Sequence, residues 1–288
     1  MKKKALLVGI NKYPDPRDEL KGCVNDVRLM QETLGGEYGF TEKGSIRVLT
    51  DSGATTNAIL DGLSWLADGA APGDSLVFHY SGHGSQAPDR HGDETADGLD
   101  EILCPYDLDW DRPLTDDDLA AACAGIPKGA LLTVILDCCH SGTGLREPAR
   151  PPRRSYAPPR PRFLPFPEAF PLTARRPARR FGVSVTKTNA VLLAACRDDQ
   201  TSADALIGAA YHGAHTFHLW RSLRDAGWLP TYLALVASMG AAIAKDGFDQ
   251  VPQLEGPVRL LSSGFLEPPP GTRPPGNTAI WAQPPVSR

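Results

Sequence analysis

The chain has 288 residues, of which 41% are hydrophobic and 22% charged, with a formal net charge of −4. That is enough for one α/β domain with extensions and a substantial core. The composition excludes a disordered chain, and the acidic balance argues against general nucleic-acid binding.

Lys4–Ile10 (KALLVGI) reads as a first buried strand ending in Gly, Asn and Pro. Asn25–Leu34 has helical spacing and stops at Gly35-Gly36. Ile46–Leu49 reads as a strand, and Thr55–Ala70 as a helix with its cap at Thr55–Asn57. Ser75–Tyr80 and Leu131–Leu136 are two further apolar runs of strand length. Between them lies an acidic stretch, Asp89–Asp118, which suits either a solvated loop or a hard-cation site. From Arg146 to Arg180 the chain is dense in Pro and Arg and lacks periodicity, so it reads as an extended, flexible loop or linker. Order resumes with a strand at Ala190–Cys196 and helices at Ala214–Leu223 and Thr231–Ala244; the tail after Glu267 is again Pro-rich. This βαβα order implies a mostly parallel sheet covered on both faces.

Two segments carry chemistry. SGHGS (Ser81–Ser85) follows one apolar run and DCCHSG (Asp137–Gly142) follows another. Open α/β sheets place their sites at the carboxyl ends of strands, so His83 and Cys139 are candidates for a thiol hydrolase. A Cys at a strand-to-helix turn lies among backbone N–H groups that lower its pKa and bind an oxyanion. Cys138 should point the opposite way. Glycines on both sides of His83 suggest close passage of backbone to a ligand, with the Gly84 N–H as an oxyanion donor. His79 and His140 are the rival histidines, one within the strand and one in the turn. There is no CxxC pair, so zinc is disfavoured against the catalytic reading. Six scattered cysteines make no disulfide framework. The first apolar run is too short for a secretory signal, and none is long enough to span a membrane. A cytoplasmic protein with reduced thiols is therefore expected, with no nucleic-acid or membrane partner.

ALLVGINKY (Ala5–Tyr13), LKGCVNDV (Leu20–Val27), FHYSGHGSQ (Phe78–Gln86), DGLDEILCPYD (Asp97–Asp107), DDDL (Asp116–Leu119) and LDCCHSGT (Leu136–Thr143) occur in this order. AACRDDQTSADA (Ala194–Ala205), YHGAHTFHL (Tyr211–Leu219) and VPQLEGP (Val251–Pro257) follow the linker. The chain thereby resembles a metacaspase of the caspase-like cysteine peptidase clan, of bacterial type and without an N-terminal prodomain.

The resemblance implies a caspase-like three-layer α/β sandwich. Residues 1–145 would form the large-subunit-like part, 146–181 the linker, 182–266 the small-subunit-like part and 267–288 a tail. It implies a His83–Cys139 dyad, an oxyanion hole from the N–H groups of Gly84 and Cys139, and cleavage after Arg or Lys. Asp26, Ser81 and Asp137 match the acidic S1 pocket. Asp100, Asp116 and Asp117 match the Ca²⁺ ligands of the family. Arg146 stands at a further ligand position, where a cation would be repelled, so Glu147 or Asp118 would have to substitute and Ca²⁺ activation is disfavoured. The linker falls where this family is cut, and Arg154 and Arg180 are the expected self-cleavage sites. The implied partners are protein or peptide substrates with Arg or Lys at P1, and the expected state is a monomer. The alternatives are Asp-specific cleavage, a non-catalytic scaffold, and a regulatory protein triggered by a ligand or partner that has little constitutive proteolysis.

Overall fold

The computed structural model describes residues 1–88, 99–139, 158–167, 190–197 and 200–268. Among these, the central sheet has six strands: β1 (Lys3–Gly9), β2 (Ile46–Thr50), β3 (Ser75–Ser81), β7 (Leu131–Asp137), β9 (Ala190–Ala194) and β12 (Gln253–Glu255). Their spatial order is β12-β9-β7-β3-β1-β2. Every pairing is parallel except the edge pair β12–β9.

Alternation divides the core. Leu6, Val8, Leu76, Phe78, Leu132 and Val134 face one layer, with Ile59, Leu63 and Leu66 of α2 (Thr56–Ala67) and Leu119 of α3 (Asp116–Cys123). Ala5, Leu7, Val77 and Ile135 face the other. There they meet Val27, Met30 and Leu34 of α1 (Cys23–Gly36), Leu219 and Leu223 of α4 (Ala214–Asp225), and Leu235 and Met239 of α5 (Tyr232–Asp246). The reversal at β1 explains the two layers. The chain moves from β1 to β2 through α1, then back past β1 to β3 through α2. Right-handed crossovers in opposite directions place their helices on opposite faces. The result is the expected caspase-like α/β sandwich.

Two small antiparallel sheets were not foreseen. The stretch read as an acidic loop instead contributes β5 (Leu99–Leu103), which pairs with β4 (Gly84–Pro88) and β6 (Leu114–Thr115). Asp116, Asp117 and Asp118 form the first turn of α3, where Thr115 and Asp118 make a reciprocal capping box. Carboxylates at a helix N-terminus satisfy orphan N–H groups and oppose the dipole. The second sheet is β8 (Arg160–Pro161), β10 (Ala203–Ile207) and β11 (Ala210–Gly213). No described helix is long and apolar enough to cross a membrane. The last helix, α6 (Val258–Leu261), is short.

Gly9 controls how α1 leaves β1. A Cβ there would lie 2.6 Å from both Cys23 O and Val27 Cγ2. With Gly22 at its N-cap, α1 has no side-chain cap of its own. Asn11 Oδ1 supplies one by accepting from Cys23 N at 2.8 Å. Gly9→Ala should therefore cost about 1–3 kcal/mol of stability. Gly35→Ala, also at α1 but with nothing within 4 Å of the added carbon, should be neutral or stabilise by up to ~1 kcal/mol. Urea unfolding of both variants checks the pair, and equal midpoints would contradict the packing described.

Candidate active site

β3 and β7 are neighbours in register, with Ser81 opposite Asp137. His83 and Cys139 therefore stand two residues beyond paired positions on adjacent strands. His83 is fixed by two tyrosines: its N–H donates to Tyr13 Oη at 2.9 Å, and Tyr80 Oη donates to its carbonyl at 2.7 Å. Those hydroxyls explain Gly82, because a Cβ there would lie 2.7 Å from Tyr80 Oη and 2.9 Å from Tyr13 Oη. The His83 Nε2 lies 2.8 Å from the Asp18 carbonyl. A carbonyl only accepts, so Nε2 carries the proton and Nδ1 the lone pair. Nδ1 is buried and has no hydrogen-bond partner among the described residues. Burial, the largest influence, pushes the His83 pKa down to about 3. Cys138 turns into the core and Cys139 toward Ser202, as alternation requires.

The segment 158–167 lies across these strand ends. β8 pairs with β10, Pro161 opposite Ala203 and Arg160 opposite Asp204. Arg162 N donates to Ser202 O at 3.0 Å, and Leu164 N to Gly84 O at 3.1 Å. The Arg162 carbonyl accepts from Gly84 N and Cys139 N, both at 3.1 Å. Two amides converging on one carbonyl is the arrangement that stabilises a tetrahedral oxyanion.

The Arg162 side chain is fully buried, at 0% exposure. Its Nη2 lies 2.9 Å from Asp26 Oδ2 and 2.9 Å from Asp204 Oδ1. Its Nη1 donates to Ser81 Oγ at 2.7 Å and lies 3.2 Å from Asp137 Oδ1. The carboxylates are themselves held. Asp26 accepts from Ser81 Oγ at 2.8 Å and from Gly213 N at 3.0 Å, and it faces His212 Nδ1 at 3.0 Å. Asp204 accepts from Lys21 N and Gly22 N, each at 2.9 Å. Asp137 accepts from Ser202 Oγ at 2.6 Å and from Thr216 N at 2.8 Å. Thr216 is in the first turn of α4, whose unpaired N–H groups favour an anion. Burial alone would raise the Asp137 pKa. The charge of Arg162, the charge that His215 acquires only at low pH, and the bonds from Ser202 and Thr216 outweigh it and hold it at about 2. Asp26 is displaced upward, because burial there outweighs the Arg162 charge.

Asp26, Ser81 and Asp137 thus meet in one pocket, and Gly84 and Cys139 share one acceptor. Sequence reasoning missed Arg162, Ser202, Asp204, His212 and Gly213. Gly213 leaves room for the guanidinium, since a Cβ would lie 2.1 Å from Asp137 Oδ2 and 2.3 Å from Arg162 Nη1. The available signal was SADA and YHG, recognised in sequence but given no role. Nothing in the linker sequence set Arg162 apart, because Arg180 is likewise followed by Phe and Arg154 likewise escapes a following Pro. Arg146, Glu147, Arg154 and Arg180 lie outside the described residues. Asp100 and Asp116 are buried, and both they and Asp117 have interaction partners. Among the described residues no group of three or more His, Cys, Asp or Glu is placed to hold a metal ion.

Residues 3–148 match the family "Metacaspase, peptidase C14 domain". Metacaspase-1 of Arabidopsis thaliana is 35% identical over 259 residues, covering 86% of this chain and 66% of that protein. Metacaspase-1 of Scheffersomyces stipitis is 32% identical, covering 88% and 70%. The chain belongs to the metacaspase family. Membership makes it a caspase-like cysteine-type endopeptidase. It spans about two thirds of the length of these two relatives. Two solved structures share its fold. A Geobacter sulfurreducens protein gives a TM-score of 0.66 at 24% identity, covering 93% of this chain and 100% of that one. Caspase-1 of Spodoptera frugiperda gives 0.53 at 14%, covering 94% and 91%.

This metacaspase buries three histidines as neutral rings. Burial lowers His79 and His83 to about 3 and His215 to about 4. Each folded pKa is below the unfolded ~6.5, so the unfolded state takes up protons first. Stability is then full above about pH 6.5 and falls as the pH drops toward 4. At pH 5 the loss is roughly 2 kcal/mol per histidine. Thermal unfolding of Cys139→Ala protein should show a Tm that declines steadily from pH 7.5 to 4.5; a flat Tm would contradict the neutral, buried assignment.

Proposed function

We propose that this metacaspase hydrolyses peptide bonds after Arg, and less efficiently after Lys, and that the Arg162–Phe163 bond of its own chain is a substrate. One observation carries the reading: Arg162 fills an acidic pocket while its carbonyl sits between the N–H groups of Gly84 and Cys139. Three carboxylates and a hydroxyl around one planar guanidinium select arginine by charge and by fork geometry. A lysine ammonium is a point charge and meets fewer of them. An Asp side chain would be repelled.

In this mechanism His83 Nδ1 accepts the proton of the Cys139 thiol. The sulfur attacks the P1 carbonyl carbon, and negative charge collects on the oxygen held by Gly84 N and Cys139 N. The C–N bond then breaks as His83 returns the proton to the leaving amine. Water, deprotonated by His83, hydrolyses the thioester and restores the thiol. The buried Arg162 also supports a second reading, in which the site is occupied until its own segment is cut or displaced. Proteolysis would then await a ligand or partner.

Matched fluorogenic peptides with Arg, Lys, Asp or Leu at P1 test the proposal, with wild type and Cys139→Ala, each with Ca²⁺ and with chelator. The expected order is Arg, then Lys, with none on Asp or Leu and none by Cys139→Ala. Comparing the Ca²⁺ and chelator arms reads cation dependence. Asp204→Asn should cut kcat/KM on the Arg peptide roughly 10- to 100-fold. Turnover of the Asp peptide, or undiminished turnover by Cys139→Ala, would contradict the assignment.

A further inference from the structure

The chain beyond Arg162 does not leave the surface. Phe163 bridges to Gly84 in parallel fashion, Leu164 N donates to Gly84 O at 3.1 Å, and Ser85 Oγ donates to Leu164 O at 2.5 Å. Arg162 and Leu164 are buried and Phe163 and Phe166 half-buried, while Pro161, Pro165 and Pro167 are exposed. That alternation is the two-residue period of a strand with one face inward. Leu164 is 8% exposed and joins the core cluster that contains Tyr13, Tyr80 and Leu103, with Leu108 and Trp110 packed against it. Two residues on, the Phe166 ring meets Trp110 edge-on, with centroids 5.1 Å apart and planes at 87°. A cavity of about 650 Å³ opens beside Leu164 between the Tyr13–Asp18 and Pro105–Trp110 loops.

We propose that these loops and β4 form a primed-side binding groove. It selects a bulky apolar residue at the second position after the cut bond and an aromatic residue at the fourth. The inference rests on the reading that Arg162 occupies the P1 position. Edge hydrogen bonds to Gly84 and Ser85 give affinity without regard to sequence, and the alternate inward side chains give selectivity, as in other strand-addition sites. Burying an aliphatic side chain against Tyr13 and Leu108 favours association, whereas a charged side chain there would be desolvated without a partner. The cavity leaves room for a side chain larger than leucine. The substrate class is therefore an extended segment with Arg at P1, a large apolar P2′ and an aromatic P4′.

Internally quenched peptides based on RPRFLPF (Arg160–Phe166) test this, alongside a short peptide carrying a fluorogenic amide directly after Arg. Replacing the residue equivalent to Leu164 by Ala should lower kcat/KM about 10- to 100-fold, and by Asp further still. Replacing the residue equivalent to Phe166 by Ala should lower it about 2- to 10-fold. Trp110→Ala should erase the difference between the Phe and Ala peptides at that position. Equal turnover of the Leu, Ala and Asp peptides, with the short Arg peptide cleaved, would overturn the groove and leave the Arg specificity standing. No cleavage of any peptide, the short one included, would overturn both.

Discussion

The guanidinium of Arg162 among Asp26, Asp137 and Asp204 is the contact on which the rest of the site depends. Three buried carboxylates around one cation leave an excess of negative charge. Isolated, such a group would take up protons or open to water. It persists because each carboxylate also accepts from fixed donors: Gly213 N for Asp26, Thr216 N for Asp137, and Lys21 and Gly22 N for Asp204. The balance differs between neighbours, so Asp137 is held at about 2 while Asp26 is pushed up. Breaking a buried pair of this kind by removing one partner is far more costly than its net worth as a pair. The pocket is accordingly built for a cation.

The sheet explains why these groups converge. β1 is the point where the connections reverse direction, which leaves a crevice at the carboxyl ends of the strands. β3 delivers Ser81 and then His83, β7 delivers Asp137 and then Cys139, and α1 delivers Asp26 in its first turn. The other wall comes from much later in the chain: Ser202, then Asp204 on β10, and Gly213 before α4. The segment 158–167 runs between these walls, pairing with β10 on one side of Arg162 and bonding to Gly84 on the other.

Most of the central sheet was legible because β1, β3 and β7 are buried on both faces and read as continuous apolar runs. The small sheets were not. β6 and β8 are two residues long, too short for any period, and β5 carries the buried acidic residues Asp100 and Glu101. The catalytic candidates were legible because both stand where an apolar run meets a turn, and the resemblance added Asp26, Ser81 and Asp137. Asp204 is separated from them by long stretches of chain, and only the fold brings it near. Arg162 was hidden by its composition. Among so many arginines and prolines its segment read as a flexible linker, and RFLPF (Arg162–Phe166) has no apolar–polar alternation to mark the strand-like burial it adopts. The acidic run Asp116–Asp118 fits a helix start as well as a cation site, and spacing alone does not distinguish the two.

The proposed self-cleavage requires that Arg162 present its own peptide bond to Cys139. The most direct measurement is the mass and N-terminal sequence of the first fragments formed on incubating the intact chain over a range of protein concentrations, with Cys139→Ala as the control. The expected first cut begins a new chain at Phe163. Its rate should be independent of concentration, because the bond is already held in its own site, and Cys139→Ala should show no cut. A first cut after Arg154 or Arg180, a rate that rises with concentration, or a chain that stays intact while Arg peptides are hydrolysed would contradict it.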